Sequence, residues 1–226
     1  MKLNTDLVLV TGAAGWLGSR LVESLVRGLP EHEALREPQQ NLRIRGLVLP
    51  GQDASRLKKL SERVEIVEGD IINNRFCQEF CEPAAGALLF HTAGIIHPRR
   101  VSEFYDINVT GTERLLNAAI KTGVKRAVVV SSNSPFGCNP HPDHLFDEIS
   151  SYRPYMHYGR SKMMMERAVK ERADKIETVL IRAPWFYGPN QPPRQTLFFQ
   201  MVRDGKAPVV GSGNNLRSMA YVDNLC

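Results

Sequence analysis

A glycine-rich stretch near the amino terminus, VTGAAGWLGS, constrains the fold more than any other part of this sequence. It follows an apolar run at residues 7–11 and leads into residues 16–29, where leucines recur at every fourth position as in a packed helix. Its glycines, Gly12, Gly15 and Gly18, suit a tight strand-to-helix turn, because glycine adopts the required backbone angles at little cost. The free N–H groups of the helix N-terminus attract phosphate, so the stretch predicts a dinucleotide-binding turn. A purely structural turn in another α/β protein is the alternative.

Short apolar runs alternate with helical patterns along the rest of the chain. After the first run, the predicted strands are residues 43–51, 63–70, 87–94, 126–132 and 178–184. The clearest helical patterns between them cover residues 104–122 and 157–173. Apolar strands that alternate with helices form a parallel sheet covered on both faces. We therefore predict a Rossmann-type doubly wound α/β fold.

The domain organisation follows from this alternation. Residues 1–182 are predicted to form the dinucleotide-binding domain, and residues 183–226 the start of a smaller substrate-binding region. The polar, proline-containing residues 30–41 are predicted to be a loop inserted between the first helix and the second strand. Asp223 is a candidate helix cap, with little helix after it, so we expect a fragment or a short member of its class.

Composition excludes several functional classes. Lysine and arginine are scattered despite the net charge of +5, so we expect no nucleic-acid partner. The four cysteines lack the spacing of a zinc site, which predicts reduced thiols and no metal. Without an apolar run approaching about 18 residues, we expect no membrane span and a cytoplasmic protein. The expected partners are a small-molecule substrate and a second copy of the chain in a homodimer.

A second motif, YGRSK, points to catalysis. Tyr158 and Lys162 lie four residues apart, which places both side chains on one face of a helix. A phenol can exchange a proton with an alcohol substrate if its pKa falls toward neutrality, and a nearby ammonium favours the phenolate. The fifth predicted strand ends in serines, and ligands of parallel sheets bind at that end of the strands. A chance pair on a helix surface is the alternative.

Together these motifs resemble the extended branch of the short-chain dehydrogenase/reductase superfamily. This branch includes the NAD-dependent epimerase/dehydratase family and the 3β-hydroxysteroid dehydrogenases. The resemblance covers almost the whole chain and is carried by TGAAGWLG, EGDI, HTAG, INVTGTERLLNAA, SSNSPFG, YGRSK, IRAPWFYGPNQ and YVDN.

The resemblance implies a set of site residues. In SSNSPFG it places the catalytic hydroxyl on Ser132, with Ser131 and Ser134 as alternatives, while Phe136 replaces the tyrosine usual in the family. With Tyr158 and Lys162 this completes the catalytic set. Asp70 resembles a residue that contacts adenine, and a helix cap is its alternative. The expected cofactor-binding residues are Gly12, Ala14, Gly15, Trp16, Leu17, Gly18, Asp70, Ile71, Thr92, Ala93, Gly94, Asn108, Ser131, Tyr158, Lys162 and Pro184.

Cofactor and reaction are less constrained by the sequence. Asp53 and Arg56 both follow the second strand. The Asp53 carboxylate favours NAD, which is our expectation, whereas the Arg56 guanidinium favours NADP. The expected function is that of a nucleotide-sugar epimerase/dehydratase-family enzyme, with Tyr158 as the acid/base in hydride transfer. The Thr-Asp-Glu triplet that sugar dehydratases use is missing after Ser132, which disfavours dehydration. The alternatives are a 3β-hydroxysteroid dehydrogenase-like or other carbonyl reductase, and a non-catalytic NAD(P)-binding redox sensor.

Overall fold

The computed structural model describes residues 3–226, and a six-stranded parallel sheet forms their centre. In space the strands follow the order β3-β2-β1-β4-β5-β6, which confirms the doubly wound fold. The chain crosses the sheet between β3 and β4, so the ends of β1 and β4 face the crevice where such sheets bind ligands. The strands are β1 Leu7–Thr11, β2 Arg43–Val48, β3 Val64–Glu68, β4 Leu88–His91, β5 Arg126–Ser132 and β6 Glu177–Ala183.

Helices cover both faces of this sheet. They are α1 Trp16–Arg27, α2 Ser55–Lys58, α3 Asn74–Cys81, α4 Ser102–Tyr105, α5 Thr112–Lys121, α6 Met156–Lys170 and α7 Pro193–Arg203. Short 3-10 turns occupy Glu33–Leu35, Ser134–Phe136 and Val222–Leu225. Across residues 3–226, none of the helices combines the length and the apolar character that crossing a bilayer requires.

The core consists of two apolar clusters, one on each face of the sheet. Successive side chains of a strand point to opposite faces. Val8 and Val10 accordingly pack with Leu21 of α1, while Leu9 packs with Leu115 of α5 and Met165 of α6. The glycine-rich helix α1 and the helix carrying the YGRSK motif therefore cover opposite faces of the sheet.

Three local expectations change in the structure. The predicted helix over residues 104–122 is α4, a π-helical turn at Asp106–Gly111 and α5 in succession. Strands β2, β3 and β4 end before the positions that the apolar runs indicated, because the chain turns there into the loops at the sheet edge. The capping role of Asp223 is wrong, since Asp223 lies within the last 3-10 turn and binds Arg20.

The carboxyl-terminal segment packs back onto α1. Strand β7, Trp185–Tyr187, pairs in parallel with β8, Met219–Tyr221. Just after β8, the Asp223 carboxylate accepts hydrogen bonds from Arg20 Nε at 2.6 Å and Nη2 at 2.7 Å. The inserted loop of residues 30–41 reaches the same place, where His32 Nε2 lies 3.5 Å from Asp223 Oδ2. The ion pair between Arg20 and Asp223 holds the carboxyl-terminal segment beside the glycine-rich helix.

Candidate active site

The glycine turn is as tight as its sequence predicts. Gly12 has a φ of +67°, and a Cβ added there would lie 2.8 Å from the backbone nitrogen of Ala93. A Cβ on Gly18 would clash with the Gly12 carbonyl and lie 2.8 Å from Thr92 Oγ1. The Gly15 N–H donates to the Gly12 carbonyl at 2.8 Å and closes the turn. Side chains at these glycines would therefore push β1, α1 and the segment after β4 apart.

The N-terminus of α1 is open to an anion. Within the described residues, no side chain caps this end at Gly15, and the first turn holds no acidic residue. A helix N-terminus carries partial positive charge and unpaired N–H groups, which together favour a phosphate. Beside it lies a cavity of about 310 Å³ whose lining includes Ala14, Trp16, Ser19, Asp53, Arg56 and Asn190.

The two charged residues of this cavity have different surroundings. Asp53 accepts a hydrogen bond from the Ser55 backbone N–H at 2.9 Å, which lowers the pKa of the Asp53 carboxyl. Arg56 is paired with Glu23 of α1, with Nη2 2.7 Å from Oε2. Arg56 shares the Glu23 carboxylate with Arg20 and Arg27, whereas Asp53 presents its own carboxylate to the cavity.

His91, at the end of β4, is buried between two threonines. Its Nδ1 lies 2.6 Å from Thr11 Oγ1, and its Nε2 lies 2.8 Å from Thr112 Oγ1. Thr112 donates its own hydroxyl proton to the Asn108 carbonyl at 2.8 Å, so Thr112 accepts from His91 Nε2–H. This network places a proton on Nε2 of His91. Burial, and then the charge of Lys162, lower the pKa of His91 to about 3.

The segment after β4 connects the glycine turn to the catalytic candidates. Thr92 Oγ1 donates to the Thr11 carbonyl at 2.7 Å, which keeps the segment against the end of β1. Two residues further on, a Cβ on Gly94 would lie 3.2 Å from Asn108 Oδ1 and 3.8 Å from Lys162 Nζ. The glycine turn and the surroundings of Lys162 thus line one continuous edge.

Asn108 lies in the π-helical turn and holds this segment in place. Its Oδ1 accepts from the Ile95 N–H at 2.9 Å, and its Nδ2 donates to the Ile95 carbonyl at 3.2 Å. The same Nδ2 lies 3.1 Å from Ser161 Oγ on α6. Asn108 therefore joins the segment after β4 to the helix that carries Tyr158 and Lys162.

Ser132, Tyr158 and Lys162 meet where β5 ends. Tyr158 is half-buried and lies near Ser132, whose hydroxyl is 3.0 Å from Ser134 Oγ. Lys162 is buried and donates from Nζ to the Val130 carbonyl at 2.8 Å. Burial lowers the pKa of Lys162 to about 8, against the opposing effect of Glu166.

The direction of the Tyr158 shift differs from the sequence-based expectation. The motif predicted a phenol whose pKa falls toward neutrality, but burial raises the pKa of Tyr158, and only the nearby Ser132 hydroxyl opposes this. Desolvation penalises the phenolate. The Lys162 ammonium donates to a strand carbonyl, so the protein alone keeps the phenol protonated.

Other expected residues lie further from this group. Ser131 donates to the buried Glu166, and its hydroxyl is therefore not directed at Tyr158. Asp70 accepts from the Ile72 N–H at 3.0 Å, and its alternative role as a helix cap is taken by Asn73, which accepts from Phe76 N. Ile71 and Leu17 are buried with the core, and Pro184 connects β6 to β7.

Sequence reasoning missed Glu166 and Arg182. Glu166 is fully buried and paired with Arg182 of β6, whose Nη2 lies 3.0 Å from Glu166 Oε2. One signal was present in the sequence: Glu166 extends the four-residue spacing of Tyr158 and Lys162, so a carboxylate falls on the buried face of α6. Asn190 in the cavity lining carried no such signal.

Comparison with known proteins identifies the relatives of this chain. The chain is 54% identical over its whole length to the uncharacterized protein y4nL of Sinorhizobium fredii, of which it covers 63%. Over 97% of the chain it is 28% identical to the N-acetyl-alpha-D-glucosaminyl-diphospho-ditrans,octacis-undecaprenol 4-epimerase of Escherichia coli O157:H7. The chain spans 61% of that relative's length.

A solved structure shows the same fold. The dTDP-glucose 4,6-dehydratase DesIV of Streptomyces venezuelae, crystallised with NAD, superposes with a TM-score of 0.80 at 27% identity. The match covers 97% of this chain and 69% of DesIV. The model of the NAD dependent epimerase/dehydratase family matches residues 8–226. The chain therefore belongs to the NAD dependent epimerase/dehydratase family.

Proposed function

We propose that this chain forms the NAD-binding and proton-transferring part of a sugar-diphosphate 4-epimerase. The observation that carries the proposal is the meeting of Ser132, Tyr158 and Lys162 at the end of β5, on the edge that also holds the glycine turn. Residues 1–182 would hold the cofactor. Residues 183–226 would begin the substrate-binding region, since the chain leaves the large sheet after Ala183.

The residues present fit NAD. The uncapped N-terminus of α1 would receive the pyrophosphate, and Gly12 and Gly18 allow the tight packing that brings this helix end against the ends of β1 and β4. The Asp53 carboxylate in the neighbouring cavity suits the hydroxyls of an adenosine ribose and repels a phosphate. This supports NAD over NADP. When bound, NAD supplies a reversible hydride acceptor.

Each residue of the catalytic group has a task. Ser132 would hold the reacting oxygen of the substrate in reach of Tyr158, which lies near it. Tyr158 would take the hydroxyl proton during oxidation and return it during reduction. A positive charge is needed to lower the pKa of Tyr158 from its raised value, and the ammonium of Lys162 lies one turn away on α6.

The names of two similar proteins support the substrate class. The Escherichia coli relative is a 4-epimerase of a glucosaminyl diphosphate, and DesIV is a 4,6-dehydratase of dTDP-glucose. Both names refer to position 4 of a hexose carried on a diphosphate. Residues 133–135 after Ser132 are Asn, Ser and Pro, so the carboxyl group that an elimination would use is missing from that position. We therefore favour epimerisation over dehydration.

Replacing Tyr158 by phenylalanine tests this function. The full-length protein would be incubated with NAD and UDP-glucose, UDP-N-acetylglucosamine or dTDP-glucose, and the sugar products followed by proton NMR. We expect a 4-epimer from the parent protein and a loss of about 10²- to 10⁴-fold in Tyr158→Phe, because the proton acceptor is gone. Binding of NAD, measured by thermal shift, should persist in the variant.

The exposed Tyr155, just before α6, offers a matched control. Tyr155→Phe should keep full turnover. Unchanged turnover in Tyr158→Phe would refute the catalytic role. Stoichiometric accumulation of NADH would instead identify a dehydrogenase, and elimination of water would identify a dehydratase.

A further inference from the structure

Glu166 is a buried carboxylate that the proposed chemistry does not use. It lies on α6, one turn beyond Lys162, and has no exposed surface. An ionised carboxylate costs several kcal/mol to bury unless it is paired and hydrogen-bonded. Its position next to the catalytic group therefore requires an explanation.

Three donors surround this carboxylate. Ser131 Oγ donates to Oε1 at 2.5 Å, and the Tyr152 hydroxyl donates to Oε2 at 2.8 Å. Arg182 of β6 approaches with Nε at 3.2 Å and Nη2 at 3.0 Å from Oε2. The guanidinium of Arg182 is itself held over the Phe136 ring, 4.5 Å from its centroid. These contacts hold the Glu166 carboxylate in one position inside the protein.

The same contacts set the position of α6 along β5. Three successive residues of the strand bind three successive turns of the helix. Ser132 lies near Tyr158, the Val130 carbonyl accepts from Lys162, and Ser131 donates to Glu166. Sliding α6 along the strand would break all three contacts together, so the contact at Glu166 helps to fix where Tyr158 stands relative to Ser132.

Glu166 also balances charge in this interior. The ammonium of Lys162 and the guanidinium of Arg182 are the nearby cations, and Glu166 is the anion between them. The other titratable groups that face this cluster are Tyr158 on α6, His91 on β4 and Tyr152 before α6. His91 is neutral in the folded protein and burial raises the pKa of Tyr158, so neither of them can replace the carboxylate.

We propose that Glu166 is a positioning residue that holds α6 in register on β5 and β6 and keeps the buried Lys162 ammonium charged beside Tyr158. The proposal rests on the proposed function for its consequence in catalysis, but the charge on Lys162 can be measured without any cofactor. Removing the carboxylate leaves two cations facing each other, and the one that can lose a proton is Lys162.

The test is a pH titration of Lys162 by NMR. The full-length protein, labelled with ¹³C at lysine Cε, would be titrated from pH 6 to 11, and Lys162→Met would identify the signal. We expect the parent midpoint near the pKa of about 8. In Glu166→Gln it should fall by about one pH unit, because an opposite charge nearby shifts a pKa by about 1–3 units. Glu166→Asp keeps the charge and should restore most of the shift.

A second variant keeps the proposal falsifiable if Glu166→Gln does not fold. Arg182→Met removes the competing cation, so the midpoint of Lys162 should rise. A merely structural role for Glu166 would change the melting temperature but leave these midpoints equal to the parent value. Equal midpoints in the folded variants would overturn the proposal.

NAD binding separates this inference from the proposed function. In Glu166→Gln, NAD affinity measured by calorimetry should fall about tenfold between pH 6.5 and 8.5, and less in the parent protein. An equal fall in both proteins would overturn the link to the cofactor site. If the NMR midpoints move as expected but no variant or parent binds NAD, Glu166 holds the charge as proposed and the proposed function fails.

Discussion

His91 should make the fold sensitive to acid. The folded protein holds this ring neutral, with a pKa lowered to about 3, because burial excludes the charged form and the Lys162 ammonium repels it. In the unfolded chain a histidine has a pKa of about 6.5. Between these values the unfolded state binds the proton and the folded state does not. The free energy of unfolding is therefore not reduced by His91 above about pH 6.5, and it decreases as the pH falls from there toward 3.

The size of this effect follows from the two pKa values. A shift of about 3.5 units corresponds to about 5 kcal/mol once both states are below pH 3. At pH 5 the loss relative to pH 7.5 is about 2 kcal/mol, because only the unfolded chain is then substantially protonated. This is a large part of the about 5–15 kcal/mol by which domains are stable.

Urea unfolding at pH 7.5, 6 and 5 would measure this loss of unfolding free energy. His91→Gln replaces the ring by a neutral side chain and should be less stable than the parent protein at pH 7.5, since the contacts with Thr11 and Thr112 change. The difference in unfolding free energy between the two proteins should shrink by about 2 kcal/mol at pH 5.

The exposed His141 provides the control. His141→Gln should follow the parent curve over the whole range, because carboxylates that titrate in acid are common to all three proteins. Parallel curves for the parent and His91→Gln between pH 7.5 and 5 would refute the neutral, buried assignment of His91.

Two further predictions concern the cofactor site. Gly18→Ala should lower the free energy of unfolding by about 1–3 kcal/mol and abolish the thermal shift with NAD, because the new methyl group meets the Gly12 carbonyl. Gly205→Ala has open space around it and should cost about 1 kcal/mol from its positive φ alone, so equal losses would contradict the packing argument. Asp53→Asn should raise NADP affinity relative to NAD by about tenfold, or about 1.4 kcal/mol, since the carboxylate no longer repels a 2′-phosphate. An unchanged ratio in calorimetry would remove Asp53 from cofactor selection.

Local patterns predicted much of this fold. The first strand, the glycine turn and the first helix follow from a run of apolar residues, a steric requirement for glycine and a periodic leucine stripe. The π-helical turn at Asp106–Gly111 was not predictable, because it depends on packing there. A Cβ on Gly111 would lie 2.8 Å from Ile71, a residue far away in the sequence.

The sequence by itself determined the order of strands and helices along the chain, the glycine turn and the spacing of Tyr158 and Lys162. Each depends on periodicity, on backbone sterics or on one helical turn, and such properties are local. The tertiary structure decided against the alternative Ser131, whose hydroxyl is bound to Glu166, 35 residues away. It also decided the protonation of His91, Tyr158 and Lys162, because a pKa follows the solvent and charges that packing places around a group.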